Sequence, residues 1–136
     1  MAASDGAARK TVLLVDDEPK LRYLVKLWLE GKGYRVLEAH RGDIALSLAQ
    51  ADPPHLILLD VRLPGELDGV QTYHHLKSQA STRHIPVIFV TGTEPKGSVT
   101  SRQLPLGERC VVFGKPFEPK ILLEEMERLL SQEVSS

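Results

Sequence analysis

Short apolar runs alternate with amphipathic stretches along most of the chain, and this alternation predicts a repeating strand–helix order. Thr11–Val15 reads as a buried strand. Leu21, Leu24, Val25 and Trp28 then recur at i, i+3, i+4 and i+7, one face of a helix that packs Trp28 into the core. Pro19 suits its first turn, and Gly31 and Gly33 end it. Residues 34–38 form the second predicted strand. Asp43 is placed to cap a second helix carrying Ile44, Leu48 and Ala49, which Pro53 and Pro54 terminate. Residues 55–59 are almost wholly apolar, as expected of a strand covered on both faces. Val70, Tyr73 and Leu76 mark a third helix, residues 86–90 a fourth strand and residues 111–113 a short fifth. Residues 118–130 make the last helix, with Ile121, Leu122, Met126, Leu129 and Leu130 inward.

Strand–helix alternation of this kind implies an α/β fold with a parallel sheet and right-handed crossovers. The weak link is residues 94–107, EPKGSVTSRQLPLG, with two prolines, two glycines and little apolar periodicity; any helix there is expected to be short or mobile. The 136 residues fit one domain. Residues 1–9 and 132–136 read as poorly ordered polar tails around a domain spanning 10–131.

Charge narrows the choice of partners. Basic and acidic residues number 17 and 18, a net charge of -1, which argues against direct nucleic-acid binding or attraction to a membrane surface. The single Cys110 excludes an internal disulfide and a cysteine-based zinc site. No signal-peptide core and no bilayer-length apolar run is present, so a cytoplasmic location is expected.

The chemistry gathers where the strands end. In an open parallel sheet, ligands bind beyond the carboxyl ends of the strands, at the topological switch point. Strand one delivers Asp16 and Asp17 there, strand three Asp60, strand four Thr91, and strand five Lys115 followed by Pro116 and Phe117. Taken singly, Asp17 reads as a helix cap, Thr91-Gly92 as a turn and Lys115-Pro116 as nothing in particular. Together they bring three carboxylates, a hydroxyl and an ammonium to one rim. Carboxylates from neighbouring strands repel, and a divalent oxygen-seeking cation such as Mg²⁺ relieves that. Asp60 could then accept a phosphoryl group as an acyl phosphate, with Lys115 and Thr91 on the remaining phosphoryl oxygens. His74 and His75, adjacent on a helix, point about 100° apart and make a poor chelate.

With Asp16-Asp17, the LLDVRLPG stretch, Thr91 and Lys115-Pro116-Phe117 in order, the chain resembles a response regulator receiver domain over about residues 10–131. The resemblance implies a flavodoxin-like, doubly wound five-stranded sheet in order 2-1-3-4-5, with two helices on one face and three on the other. It implies that Asp60 takes a phosphoryl group from a sensor histidine kinase or a histidine phosphotransfer protein. Asp17 would bind Mg²⁺ directly, Asp16 largely through water, and the backbone carbonyl of Arg62 would be a further ligand; Mn²⁺ would be a substitute metal. Lys115-Pro116 would be a cis peptide that turns the lysine inward. Switching would alter binding of a downstream protein through the face formed by the fourth helix, fifth strand and last helix.

Departures from the family pattern sharpen the expectations. The turn after Asp60 is one residue longer than usual before Asp68-Gly69. Where the family often has an aromatic residue three before the lysine, this chain has Val112, and Phe113 follows it on the opposite strand face. A signal carried by reordering of residues 93–108 is expected in place of a ring flip. Arg62, two residues past Asp60, is expected to tune the phosphorylated lifetime. The same arginine argues against an aspartyl-phosphate phosphatase, which needs an acid there as general acid. Asp16-Asp17-Glu18 would repel the phosphate of a flavin. A receiver belonging to a hybrid histidine kinase is the remaining alternative.

Overall fold

The computed structural model describes residues 9–91, 99–100, 110–114 and 119–135. The elements run β1 (Thr11–Val15), α1 (Pro19–Gly31), β2 (Arg35–Ala39), α2 (Gly42–Ala51), β3 (Leu56–Asp60), α3 (Gly69–Lys77), β4 (Val87–Thr91), β5 (Val99–Thr100), β6 (Cys110–Gly114) and α4 (Pro119–Ser135). The sheet order is β2-β1-β3-β4-β6-β5. Strands β2, β1, β3, β4 and β6 pair in parallel in that order, as expected. The short β5 is an addition to that expectation: it pairs antiparallel with β6, Val99 opposite Phe113 and Thr100 opposite Val112. The rest of the segment suspected of weak helicity and of the expected reordering region, and residues 1–8, lie outside the described residues.

Side chains alternate across the sheet and build two cores. On one face, Val12 and Leu14 of β1, Leu56 and Leu58 of β3 and Ile88 of β4 pack against Val25 and Leu29 of α1 and Leu122, Met126, Leu129 and Leu130 of α4. On the other, Leu13, Val15, Ile57, Leu59, Val87 and Phe89 pack against Ala45 and Ala49 of α2 and Tyr73 and Leu76 of α3. β1 and β3 are therefore covered on both sides, which is why they read as unbroken apolar runs. The Tyr73 and Phe89 rings lie 5.4 Å apart, fastening α3 to β4.

Several details correct the sequence reading. Leu24 is 61% exposed and Leu29 takes its place in the core. The buried stripe of α1 is thus Leu21, Val25, Trp28 and Leu29, with Leu21 and Trp28 only partly covered. Ile121 faces outward, while Leu122 one position on is buried. Asp43 does not cap α2; Arg41 occupies that position with no side-chain cap bond, and Asp43 lies in the first turn. It accepts two hydrogen bonds from Arg41, at 3.0 and 2.6 Å. The Arg41 guanidinium holds the Asp43 carboxyl below its ordinary value. α4 continues to Ser135, beyond its expected end. β3 and β4 each end one residue later than expected, so Asp60 and Thr91 close their strands and do not follow them.

The roll of α1 makes a direct prediction. Leu29→Ala should lower unfolding free energy by about 2–5 kcal/mol, whereas Leu24→Ala should stay within about 0.5 kcal/mol of wild type. Urea denaturation of the two variants checks this, and equal losses would show that the helix is rotated from the described orientation.

Candidate functional site at the carboxyl edge of the sheet

β2 and β3 flank β1 on opposite sides, so the chain reverses its winding direction there and leaves a crevice beyond the strand ends. Val15 aligns with Ala39 on one side and Leu59 on the other. Asp16 leaves β1 at this rim, and its N–H still donates to the Ala39 carbonyl at 3.0 Å. Its Oδ1 accepts from the Glu18 N–H at 2.9 Å, closing the turn that leads into α1. Asp60 ends the neighbouring β3, and its Oδ1 accepts from the Arg62 N–H at 3.1 Å. Asp16 and Asp60 are each 5% exposed. Asp17 is exposed.

One carboxylate oxygen from each of Asp16, Asp17 and Asp60 lies within 4.8 Å of the other two. At that separation two ionised carboxylates repel by about 3–4 kcal/mol for an effective dielectric near 20. Hard, anionic oxygen donors converging from two adjacent strands are what a small divalent cation prefers. The residues present thus fit Mg²⁺. Among the sequence-predicted site residues, these three are brought together; Arg62, an exposed residue, joins them through its backbone N–H on Asp60. Thr91 ends β4 one residue beyond Val90, the partner of Asp60. Val112 and Phe113 lie in β6 opposite Phe89 and Val90 of β4. Lys115 and Pro116 are outside the described residues.

Two supports of the site were not anticipated. The first is Gly69. Its N–H donates to the Val61 carbonyl at 2.8 Å, folding the 61–68 loop back onto the end of β3. A Cβ built on Gly69 would lie 2.1 Å from the Asp60 carbonyl oxygen and 2.7 Å from the Val61 Cα. Only a residue without a side chain allows that approach. Gly65, within this loop, has a φ of 91°. Asp68 then starts α3 with a reciprocal cap: its side chain accepts from the Gln71 N–H at 2.8 Å, and Gln71 Oε1 accepts from the Asp68 N–H at 3.0 Å. The D-G-V-Q string was the available signal for this start. The second support is Arg22, whose Nη1 donates to the Asp16 carbonyl at 2.7 Å and whose Nε donates to Glu38 at 3.1 Å. Glu38 also pairs with Lys26 at 3.1 Å. Burial pushes the Glu38 carboxyl up, but the hydrogen bonds from Lys26 and Arg22 outweigh it and hold the group below its usual value.

Comparison with known proteins agrees with this geometry. The response regulator receiver domain family matches residues 12–127. The response regulator GtcR of Aneurinibacillus migulanus is 35% identical over 124 residues, covering 90% of this chain and 47% of that protein. The phosphate regulon transcriptional regulatory protein PhoB of Escherichia coli is 36% identical over 122 residues, 89% of this chain and 52% of PhoB. The chain thus spans about half the length of these curated relatives. A crystal structure of the receiver domain of a Pseudomonas aeruginosa sensor histidine kinase, with magnesium coordinated in its active-site cleft, superposes with a TM-score of 0.79 at 29% identity. That match covers 91% of this chain and 99% of that one. A CheY-like receiver domain from Methanospirillum hungatei gives 0.78 at 26% identity, covering 95% and 100%. The chain belongs to the response regulator receiver domain family, the phosphoacceptor modules of two-component signalling. Such a module accepts a phosphoryl group and is not an enzyme in the usual sense. No helix among the described residues is long and apolar enough to cross a membrane.

The tight seat of Gly69 can be tested. Gly69→Ala should cost about 1–3 kcal/mol in urea denaturation, because the methyl group must displace the backbone that carries Asp60. Wild-type stability in that variant would show that the loop yields freely.

Proposed function

We propose that Asp60 is the phosphoacceptor of this receiver domain and that Mg²⁺ is held by Asp16, Asp17, Asp60 and the Arg62 carbonyl. The observation that carries the reading is the convergence of the three carboxylates within 4.8 Å at the ends of β1 and β3. A carboxylate oxygen of Asp60 attacks the phosphorus of a phosphohistidine. The O–P bond forms, the P–N bond breaks, and the electron pair returns to the imidazole of a sensor histidine kinase or histidine phosphotransfer protein. Bound Mg²⁺, or Mn²⁺ in its place, would supply positive charge to the phosphoryl oxygens. The Arg62 N–H on Asp60 Oδ1 helps to orient the carboxylate for the transfer.

Lys115 and Thr91 take the roles the family resemblance gives them, neutralising one phosphoryl oxygen and donating a hydrogen bond to another. Pro116 sets the lysine's direction, and Arg62 tunes water access to the acyl phosphate. The unit acting in this way is residues 10–131, in the cytoplasm. Its output is altered binding of a downstream protein through residues 93–108, β6 and α4, with Val112 at the position where the family often has its aromatic residue and Phe113 one residue on. Slow Mg²⁺-dependent phosphorylation by small phosphodonors and slow self-hydrolysis accompany this role.

Incubation with acetyl phosphate and Mg²⁺, read by intact mass, should add one phosphoryl group to wild type and none to Asp60→Asn at the native site. Modification persisting in Asp60→Asn would place the acceptor elsewhere. Hydrogen exchange with and without beryllofluoride should change across residues 93–108; equal protection in the two states would refute the reordering mode.

A further inference from the structure

One residue, Arg22, holds the metal-site turn at both ends, by its side chain at one and its backbone N–H at the other. The carbonyl of Asp16 lies past the last aligned residue of β1, where the ladder to β2 and β3 has stopped at Val15. It is taken up by Arg22 Nη1 at 2.7 Å. The carbonyl of Glu18 accepts the backbone N–H of the same residue at 3.0 Å. Arg22 thus anchors the peptide oxygens on both sides of Asp17. The guanidinium is itself held, because its Nε donates to Glu38 on β2 at 3.1 Å and Lys26, one turn further along α1, pairs with the other Glu38 oxygen at 3.1 Å. Arg22 leaves only 20% of its side chain exposed, and Glu38 and Lys26 about a third each. Arg22 and Asp16 both line the small cleft between α1 and the sheet, together with Leu14, Leu21 and Val25.

We propose that Arg22 is a positioning residue for the metal-binding carboxylates: braced by Glu38, it holds the Asp16-Asp17-Glu18 turn in the shape that directs Asp16 and Asp17 at the cation. This rests on the reading of the acidic cluster as a Mg²⁺ site. The guanidinium fork spreads the two contacts over separate nitrogens in a rigid plane, one reaching the Asp16 carbonyl and another Glu38; a lysine would have to serve both acceptors from one nitrogen on a flexible stem and fixes their geometry less well. The role also has a sign that charge alone would reverse. A cation beside an acidic site repels Mg²⁺, so if Arg22 acted through its charge its removal would tighten metal binding. If it acts by holding the turn, its removal loosens binding, as loss of outer supporting contacts does.

The test is calorimetric titration of the whole chain with Mg²⁺, beside thermal melts in EDTA. Arg22→Gln should weaken Mg²⁺ binding about tenfold. Arg22→Lys, which keeps the charge and loses the fork, should share most of that loss. Glu38→Ala, which removes the brace, should weaken binding in the same direction by less, and Arg22→Lys, in which the charge is unchanged, keeps the question answerable if Arg22→Gln does not fold. A lower melting temperature in EDTA with an unchanged Mg²⁺ dissociation constant would reduce Arg22 to a structural residue and overturn the proposal, and so would tighter binding by Arg22→Gln. Wild type that binds no Mg²⁺ overturns the metal-site reading with it. Wild type that binds, with Asp17→Asn impaired and Arg22→Gln unimpaired, overturns the positioning role alone.

Discussion

Two neighbouring parallel strands end side by side, and each delivers acid to the same few ångströms. Asp16 and Asp60 sit at the finish of β1 and β3, both almost fully covered, with Asp17 beside them. Mutual repulsion would drive such a cluster apart unless the backbone beneath it were stiff. The stiffness comes from the sheet: β1 and β3 are paired on both edges and packed on both faces. What the strands cannot hold, the turns do. Glu18 and Arg62 each give a backbone N–H to a carboxylate, and Gly69 lets a loop press against the Asp60 carbonyl.

Much of this was legible because it follows from local pattern. Runs such as Val12–Val15 and 56–59 have no polar residue, and only a strand buried on two sides tolerates that. The parallel run of the strands then places the acids on one rim. The roll of α1 was not legible to the same degree. Apolar residues occur at 21, 24, 25, 28 and 29, so two overlapping stripes fit the helical period equally well. Tertiary packing on Leu14, Leu58 and the last helix selected the stripe containing Leu29 and left Leu24 to solvent. The same limit applies to Ile121 and Leu122, adjacent candidates of which one is inward.

The supports around the site were harder to see for a different reason. Arg22 and Glu38 are 16 positions apart, and their contact depends on how α1 lies over the β1–β2 pair. No spacing rule encodes that. Asp43 misled because an acid before an amphipathic stretch is an ordinary cap signal. Here the preceding Arg41 stands at the cap position, and the acid pairs with it from inside the first turn. Gly69 was visible as part of an Asp-Gly pair, but its close approach to the Asp60 carbonyl is a property of the folded loop alone.

The two flanks of the sheet are finished differently, and this bears on solubility. A strand with one bare side invites foreign chains to add on, which is how ordered aggregates begin. At one flank, β2 carries Arg35 and Glu38, each tied to an opposite charge: Arg35 to Asp52, Glu38 to Arg22 and Lys26. An intruding strand there would have to cover ionic groups. At the other flank the two residues of β5 run against the direction of the sheet and occupy part of the rim of β6. Over those two positions a newcomer would meet a short strand of opposite direction, so among the described residues each flank carries a feature that disfavours fibrous self-association.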